Sequence, residues 1–387
     1  MFRNLPLIVL LLSGGAQAGE RAGFPHGAEP LPEVHEGPRP EDRPCNVAFS
    51  AWVRHQEPPA AHPPKAEGWG FSATLFRRIL AVEESTPSMV HTWCIGRSVQ
   101  GRPIWATRIA RPDAPVEHRM LVFAQLHALE WIGAEVVVAL AERLGQHTPK
   151  GIEIVLVPLV NPDGRHRAES DLLEEREGVY RRANTNGVDL NRDFAVHRES
   201  DNIWSRLPWF RRYYTASPAP LSQPETRALD KLASTGFDIS VSLHAFGGVI
   251  YYPWAGIKDP IEDAAAHRAM ARIMAAAQPG RSYRTVQLGR YFRWFRGLGM
   301  EIDHMYAVHG SQSFLIELTR SGIRPLRPNT WKDYFRWYNP VDPSPHVDDG
   351  VTALWAAITH YASQASSQQG TGTHPTMPQL RQEIPRP

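Results

Sequence analysis

The sequence predicts an α/β fold: one domain whose mixed, mostly parallel, twisted sheet is flanked by helices on both faces. Short, largely apolar runs at residues 120–124, 152–160, 237–243 and 313–318 have the pattern of strands buried inside a parallel sheet. Between them lie longer stretches with helical character, and strand–helix alternation packs helices on both sides of one sheet. No internal repeat interrupts residues 71–363, a length that a single α/β domain reaches.

Residues 1–18 read as a secretory signal: Arg3 supplies the positive end, Leu5 to Leu12 the apolar core, and Ala16-Gln17-Ala18 the small-residue cleavage site. That core is too short to span a bilayer, and no cysteine follows the cleavage site to carry a lipid. Residues 19–70, with Pro58-Pro59 and Pro63-Pro64, read as a Pro-rich N-terminal extension lying on or off the domain. Order begins near Phe71 with a helix through Leu75 and Ile79. Residues 92–95 and 104–109 are two strand candidates around a turn-like stretch at 96–102. The buried run 120–124 precedes a helix at 132–144, closed by Gly145 with Pro149 beyond it.

The strand at 152–160 ends in Asn161-Pro162-Asp163-Gly164, read as a turn. Ser222-Gln223-Pro224-Glu225 has the form of a capping box opening a helix through Leu229 and Leu232. An Ala- and Met-rich helix spans 262–278 and stops at Pro279-Gly280, and 351–361 is the last helix of the core. The polar, Pro-containing residues 364–387 are expected to be a disordered tail.

A formal net charge of +2 over 387 residues argues for neither nucleic acid nor an acidic partner. No later stretch has transmembrane length, so a secreted or periplasmic protein, expected to be a monomer, is the reading. The two cysteines, Cys45 and Cys94, are too few for a cysteine-rich metal site. They are either bridged, as an oxidising compartment favours, or two free buried thiols.

Chemistry concentrates at strand ends. His127-x-x-Glu130 follows the run 120–124, at the edge where open α/β sheets bind ligands. Alone, the pair is more often two side chains satisfying loop backbone. The third strand, however, ends in Ser242-Leu243-His244, and the fourth carries Glu317 among Phe314, Leu315, Ile316 and Leu318, where a carboxylate is costly to bury uncompensated. Parallel strands end on one edge, so His127, Glu130 and His244 can meet at one ion as a His₂Glu set with an open position. The sequence lacks H-E-x-x-H, G-x-S-x-G and a P-loop, which sets aside three common enzyme classes.

Six stretches, in order, carry a resemblance: His127-Ala128-Leu129-Glu130-Trp131, Asn161-Pro162-Asp163-Gly164, Tyr180-Arg181-Arg182, Gly187-Val188-Asp189-Leu190-Asn191-Arg192, Ser242-Leu243-His244 and Phe314-Leu315-Ile316-Glu317-Leu318. Across residues 90–363 the chain resembles the zinc carboxypeptidase family of the carboxypeptidase A type, in wording closest to bacterial members. The resemblance implies a carboxypeptidase-like fold and one Zn²⁺ per chain, held by His127, Glu130 and His244. It further implies Glu317 as the general base acting on a zinc-activated water and Arg181, which follows the aromatic Tyr180, as the group polarising the scissile carbonyl. Asn191 and Arg192 would hold the substrate's C-terminal carboxylate.

Other positions depart from the family's pattern. Leu129 stands where many relatives have arginine, and Phe246 where digestive members have tyrosine. Phe295 takes the place of a mobile tyrosine, with Tyr291 four residues earlier as the alternative. Ile302, followed by Asp303, falls where the family sets side-chain preference and favours apolar or aromatic residues over basic ones; a rebuilt loop would make it core instead. The aromatic-rich stretches 204–214 and 331–338 read either as a platform for sugars or acidic cell-wall peptides or as anchors packing insertions.

The expected activity is hydrolysis of the C-terminal peptide bond of a peptide or cell-wall peptide with a free carboxylate. A murein-peptide amidase acting on diaminopimelate-containing peptides and a silent peptide- or glycan-binding protein are the alternatives.

Overall fold

In the computed structural model, which describes residues 40–199, 216–280, 282–291, 296–320, 322 and 326–368, eight strands form one sheet: β1 (Val90–Arg97), β2 (Pro103–Ile109), β3 (Val116–Ala124), β4 (Gly151–Val157), β5 (Ile239–Ala245), β6 (Val249–Tyr252), β7 (Arg284–Gln287) and β8 (Gln312–Leu318). Their order is β1-β2-β4-β3-β5-β8-β6-β7. The pairings β3/β4, β3/β5, β5/β8 and β6/β7 are parallel, and β1/β2, β2/β4 and β6/β8 antiparallel. The centre is therefore the parallel part, and its strands are buried on both faces.

Alternation along the strands sorts side chains between two cores. Met120, Val122, Ala124, Ile154 and Leu156 face the layer containing helix α1 (Ile132–Gln146), while Leu121, Phe123, Val155 and Val157 face Leu229 and Leu232 of helix α2 (Pro224–Ala233). Both sheet faces are thus covered. Gly133 is required by close approach: a Cβ there would stand 3.0 Å from the Ala124 Cβ and 3.0 Å from the Leu243 carbonyl oxygen.

Strand order positions the site. The chain leaves β3, packs α1 and returns as β4 on one side, whereas β5 lies on the other. That reversal opens a crevice at the carboxyl ends of β3 and β5. Ala124 pairs with Leu243, and His244 pairs with Glu317, so residues at these ends sit at one level.

Several elements differ from expectation. Asn161 does not close a turn: its side chain accepts the Gly164 N–H and, with Pro162 at the first turn, opens the helix Pro162–Leu173. The capping box does not form, because Ser222 Oγ donates to Asp193 and Gln223 occupies the cap position. The last helix spans Ser344–Gln368, so residues 364–368 are helical and not part of a disordered tail. Strands β6 and β7 and the helix α3 (Glu301–Ala307) had no clear local pattern.

Within the extension, the described residues lie on the domain. Phe49 and Val53 pack with Phe76 and Trp105, and Ala66 and Trp69 join the main core. Cys45 and Cys94 form a disulfide, which ties this segment to β1. The signal segment 1–18 and the aromatic stretch 204–214 lie outside the described residues.

Candidate metal and catalytic site

Beyond Ala124 the chain must turn sharply, and Gln125 does so with a φ of 57°, a left-handed conformation costing roughly 1–2 kcal/mol for a non-glycine residue. Distant side chains hold that turn. Arg165 Nη1 donates to Gln125 Oε1, and its guanidinium lies 3.3 Å from the Trp131 ring centre. Asn339 accepts from the Trp131 N–H and donates to the Leu129 carbonyl.

The turn delivers His127 and Glu130, and β5 delivers His244; all three are buried. His127 Nδ1 lies 2.8 Å from Glu130 Oε1, His244 Nδ1 lies 3.0 Å from Glu130 Oε2, and the two Nδ1 atoms are 3.1 Å apart. Behind His127, Nε2 meets Asp189 Oδ1 at 3.0 Å, and Asp189 is itself held by Arg182 Nε at 2.7 Å and the Asn191 N–H. A ring that donates Nε2–H to a carboxylate leaves its Nδ1 lone pair facing the cluster.

The electrostatics call for a positive charge among these atoms. Burial works to raise the Glu130 carboxyl, yet His127 and His244 outweigh it and hold Glu130 well below the usual carboxylate range. Burial works against protonating His244, but Glu130 and Glu301 outweigh it and raise its pKa to about 10. A divalent cation meets this demand with both imidazole lone pairs and the carboxylate together. Two imidazoles and one carboxylate are a donor set that suits zinc and leaves a position open.

Glu317 is directed to the same sheet face as its register partner His244. Its Oε2 is sealed from solvent with no hydrogen-bond partner among the described residues. Burial pushes its pKa up to about 8, with Glu130 adding to the rise and His244 and Arg182 opposing it.

A family model described as zinc carboxypeptidase matches residues 77–335, more than half of the chain. The chain belongs to the zinc carboxypeptidase family. It is similar to carboxypeptidase SOL1 of Arabidopsis thaliana, 25% identical over 303 residues that cover 71% of this chain and 55% of the relative. It is also similar to the uncharacterized protein YqgT of Bacillus subtilis, 32% identical over 201 residues that cover 44% of this chain and 52% of the relative. The chain therefore spans about half the length of these curated relatives. The structure of bovine thrombin-activatable fibrinolysis inhibitor in complex with tick carboxypeptidase inhibitor aligns with a TM-score of 0.62 at 18% identity, covering 77% of this chain and 99% of that one, which shows the shared fold. Zinc is the metal of the family, and the His127-Glu130-His244 cluster is the group that fits it here.

Of the two adjacent arginines, Arg181, the one expected to polarise the scissile carbonyl, is placed away from the cluster. Arg181 makes two bonds to Asp171 on the neighbouring helix, at 2.6 and 3.1 Å. Arg182 faces the site instead, with Nη1 3.7 Å from Glu130 Oε1. Neighbouring arginines are chemically alike, and the position of each one's carboxylate decides which turns inward.

Asn191 and Arg192 lie on a short turn beside the cluster, both buried; Asn191 Nδ2 is 3.4 Å from His244 Nε2, and Arg192 Nη1 donates to the Asn191 carbonyl at 2.6 Å. Ile302 is fully buried in a cluster with Val249, Tyr251, Ala255, Leu288, Met300 and Leu315. Phe295 lies outside the described residues, while Tyr291 packs on Tyr251 with ring centres 5.2 Å apart. In the second aromatic stretch, Phe335, Trp337 and Tyr338 are buried in the core as anchors, while Trp331 is exposed.

Asp189 and Glu301 were not assigned from sequence. Asp189 sits inside the quoted Gly187–Arg192 stretch, a signal that could have found it; Glu301 had only its adjacency to Ile302. A second group, Asp230, His304 and His309, joins α2 to the end of α3 through bonds of 2.7 and 2.8 Å to Asp230 Oδ1. There the Ala195 N–H faces His304 Nδ1, which places the proton on Nε2 and makes the group a hydrogen-bonded brace.

Proposed function

We propose that the protein is a zinc-dependent carboxypeptidase that hydrolyses the C-terminal peptide bond of peptides. The observation that carries this reading is the meeting of His127, Glu130 and His244 beside Glu317, whose Oε2 is sealed from solvent without a hydrogen-bond partner among the described residues. His127, Glu130 and His244 would hold one zinc, which when bound supplies a Lewis acid and lowers the pKa of a coordinated water to about 7.

The chain's own groups account for the rest. Glu317 takes a proton from the attacking water and delivers it to the leaving amine, a contribution of roughly 10²–10⁴ in rate. Arg182 stands beside the cluster to stabilise the oxyanion as its charge develops. Arg192, with Asn191, binds the terminal carboxylate through the planar fork that suits carboxylates.

The protein acts outside the cytoplasm in this reading, secreted or periplasmic. The N-terminal signal pattern and the Cys45–Cys94 bridge support that location. Among the described residues no helix is long and apolar enough to cross a membrane. The same location favours diaminopimelate-containing cell-wall peptides as a second substrate class for the site, while the retained Glu317 argues against a silent binding protein.

The test is to count zinc in the purified mature protein and assay a peptide panel, including muropeptides, with free and amidated C-termini. The expected result is one zinc per chain and cleavage of free-carboxylate peptides only. One zinc with no cleavage of any free-carboxylate peptide or muropeptide would overturn the reading.

A further inference from the structure

Glu301 is the first residue of α3 and is fully buried, although it belongs to none of the six stretches that carry the family resemblance. Its backbone N–H donates to Asn191 Oδ1 at 3.0 Å, which fixes where the helix begins. Its Oε1 accepts from Ser242 Oγ at 2.6 Å and lies 3.3 Å from His244 Nε2. Ser242 and His244 are two residues apart on β5, so their side chains leave the same sheet face. The three side chains thus form a line from Ser242 through Glu301 to the outer nitrogen of a zinc-cluster histidine.

His244 has two neutral tautomers, and the neighbours of Nε2 distinguish them. Asn191 Oδ1 is engaged by the Glu301 N–H, so Asn191 turns its amide NH₂ toward Nε2, at 3.4 Å. An amide NH₂ donates and does not accept. If Nε2 accepts from it, Nδ1 must carry the proton and present N–H to Glu130, the wrong form for holding a metal. If Nε2 carries the proton, Glu301 Oε1 is its acceptor, and the Nδ1 lone pair faces Glu130 and His127.

We propose that Glu301 is the positioning residue of His244: with Ser242 holding its carboxylate, it takes the Nε2–H and so keeps Nδ1 open toward the zinc site. It does for His244 what Asp189 does for His127, and each imidazole of the cluster then has a carboxylate behind it. This rests on the reading that the cluster holds zinc.

The test measures zinc affinity by chelator competition in the full mature chain, for the wild type, Glu301→Gln and Ser242→Ala. Thermal midpoints of the metal-free proteins, and peptide KM and kcat, are measured alongside. Loss of an outer carboxylate of this kind weakens metal binding by roughly 10–100-fold. Glu301→Gln is therefore expected to raise the zinc dissociation constant at least about tenfold and to change the visible spectrum of the cobalt-substituted protein, with the metal-free midpoint little changed. Ser242→Ala should move affinity the same way by less, and it decides the matter if Glu301→Gln does not fold. Zinc affinity within about twofold of wild type in the folded variants overturns the proposal. So does unchanged affinity with a raised KM for one class of C-terminal side chain, which would make Glu301 a substrate contact. Failure of the wild type itself to bind zinc would instead overturn the underlying reading of the site.

Discussion

Arg181 and Arg182 are neighbours with opposite expected phenotypes, and replacing each in turn separates an ion pair outside the cluster from a group beside it. The Arg181 side chain is 33% exposed and pairs with Asp171. Asp171 is buried but keeps Arg176 at 3.3 Å when Arg181 is removed, so Arg181→Ala should lower stability by roughly 1–3 kcal/mol and leave kcat/KM within about threefold.

Arg182 donates Nε to Asp189, the carboxylate behind His127, and carries Nη1 to within 3.7 Å of Glu130. Burial works to raise the Asp189 carboxyl, but Arg182 and then His127 hold it well down, so the arginine keeps that carboxylate charged. Removing one partner of a buried ion pair costs roughly 3–5 kcal/mol, so Arg182→Lys, which keeps the charge but loses the fork, is the better probe. Losing a donor to a developing oxyanion costs roughly 10²–10³ in kcat. Arg182→Lys should therefore reduce kcat on a free-carboxylate peptide by about a hundredfold or more. Steady-state kinetics, with urea unfolding as the control for folding, measures both. A larger loss of kcat in Arg181→Ala than in folded Arg182→Lys would refute the placement.

Glu317→Gln should lower kcat by roughly 10²–10⁴ with zinc still bound, checked by kinetics and metal counting; an unchanged rate would show that another group moves the proton. Glu225 is buried, and burial raises its pKa to about 7, with the backbone N–H groups and Asn184 opposing the rise. A raised carboxyl stabilises the fold fully below its unfolded pKa near 4.5, and this is lost as pH climbs through about 7, on the order of 3 kcal/mol in all. Urea unfolding of wild type and Glu225→Gln across pH 4.5 to 7.5 should show that extra loss in the wild type alone; parallel curves would contradict it. Opening the Cys45–Cys94 bridge, which spans 49 residues, by Cys94→Ser should cost about 2–4 kcal/mol of unfolding free energy. An unchanged urea midpoint would mean that the bridge adds nothing to packing already present at Phe49 and Val53.

Much of the architecture was written locally. The central strands are apolar runs because they are buried on both faces, and burial leaves a composition that survives without knowledge of partners. His127, Glu130, His244 and Glu317 were legible because each sits at or near the end of such a run, and parallel strands end together. Strands β6 and β7 were not legible. Each has four residues and is held by pairing with strands far away in sequence, so no local period announces it.

The remaining decisions belong to the tertiary structure. Which of two adjacent arginines turns toward the cluster depends on the carboxylate each one meets, Asp171 for Arg181 and Asp189 for Arg182. The pairing of Cys45 with Cys94 depends on the extension folding back onto β1. Glu301 reaches His244 because α3 starts where Asn191 accepts its first N–H. The sequence by itself determined which chemistry stands at the sheet edge, since metal-binding and proton-moving groups are rare inside apolar runs. Only the folded chain decided which carboxylates and which arginine stand behind that chemistry, because such support is set by distances between segments remote in sequence.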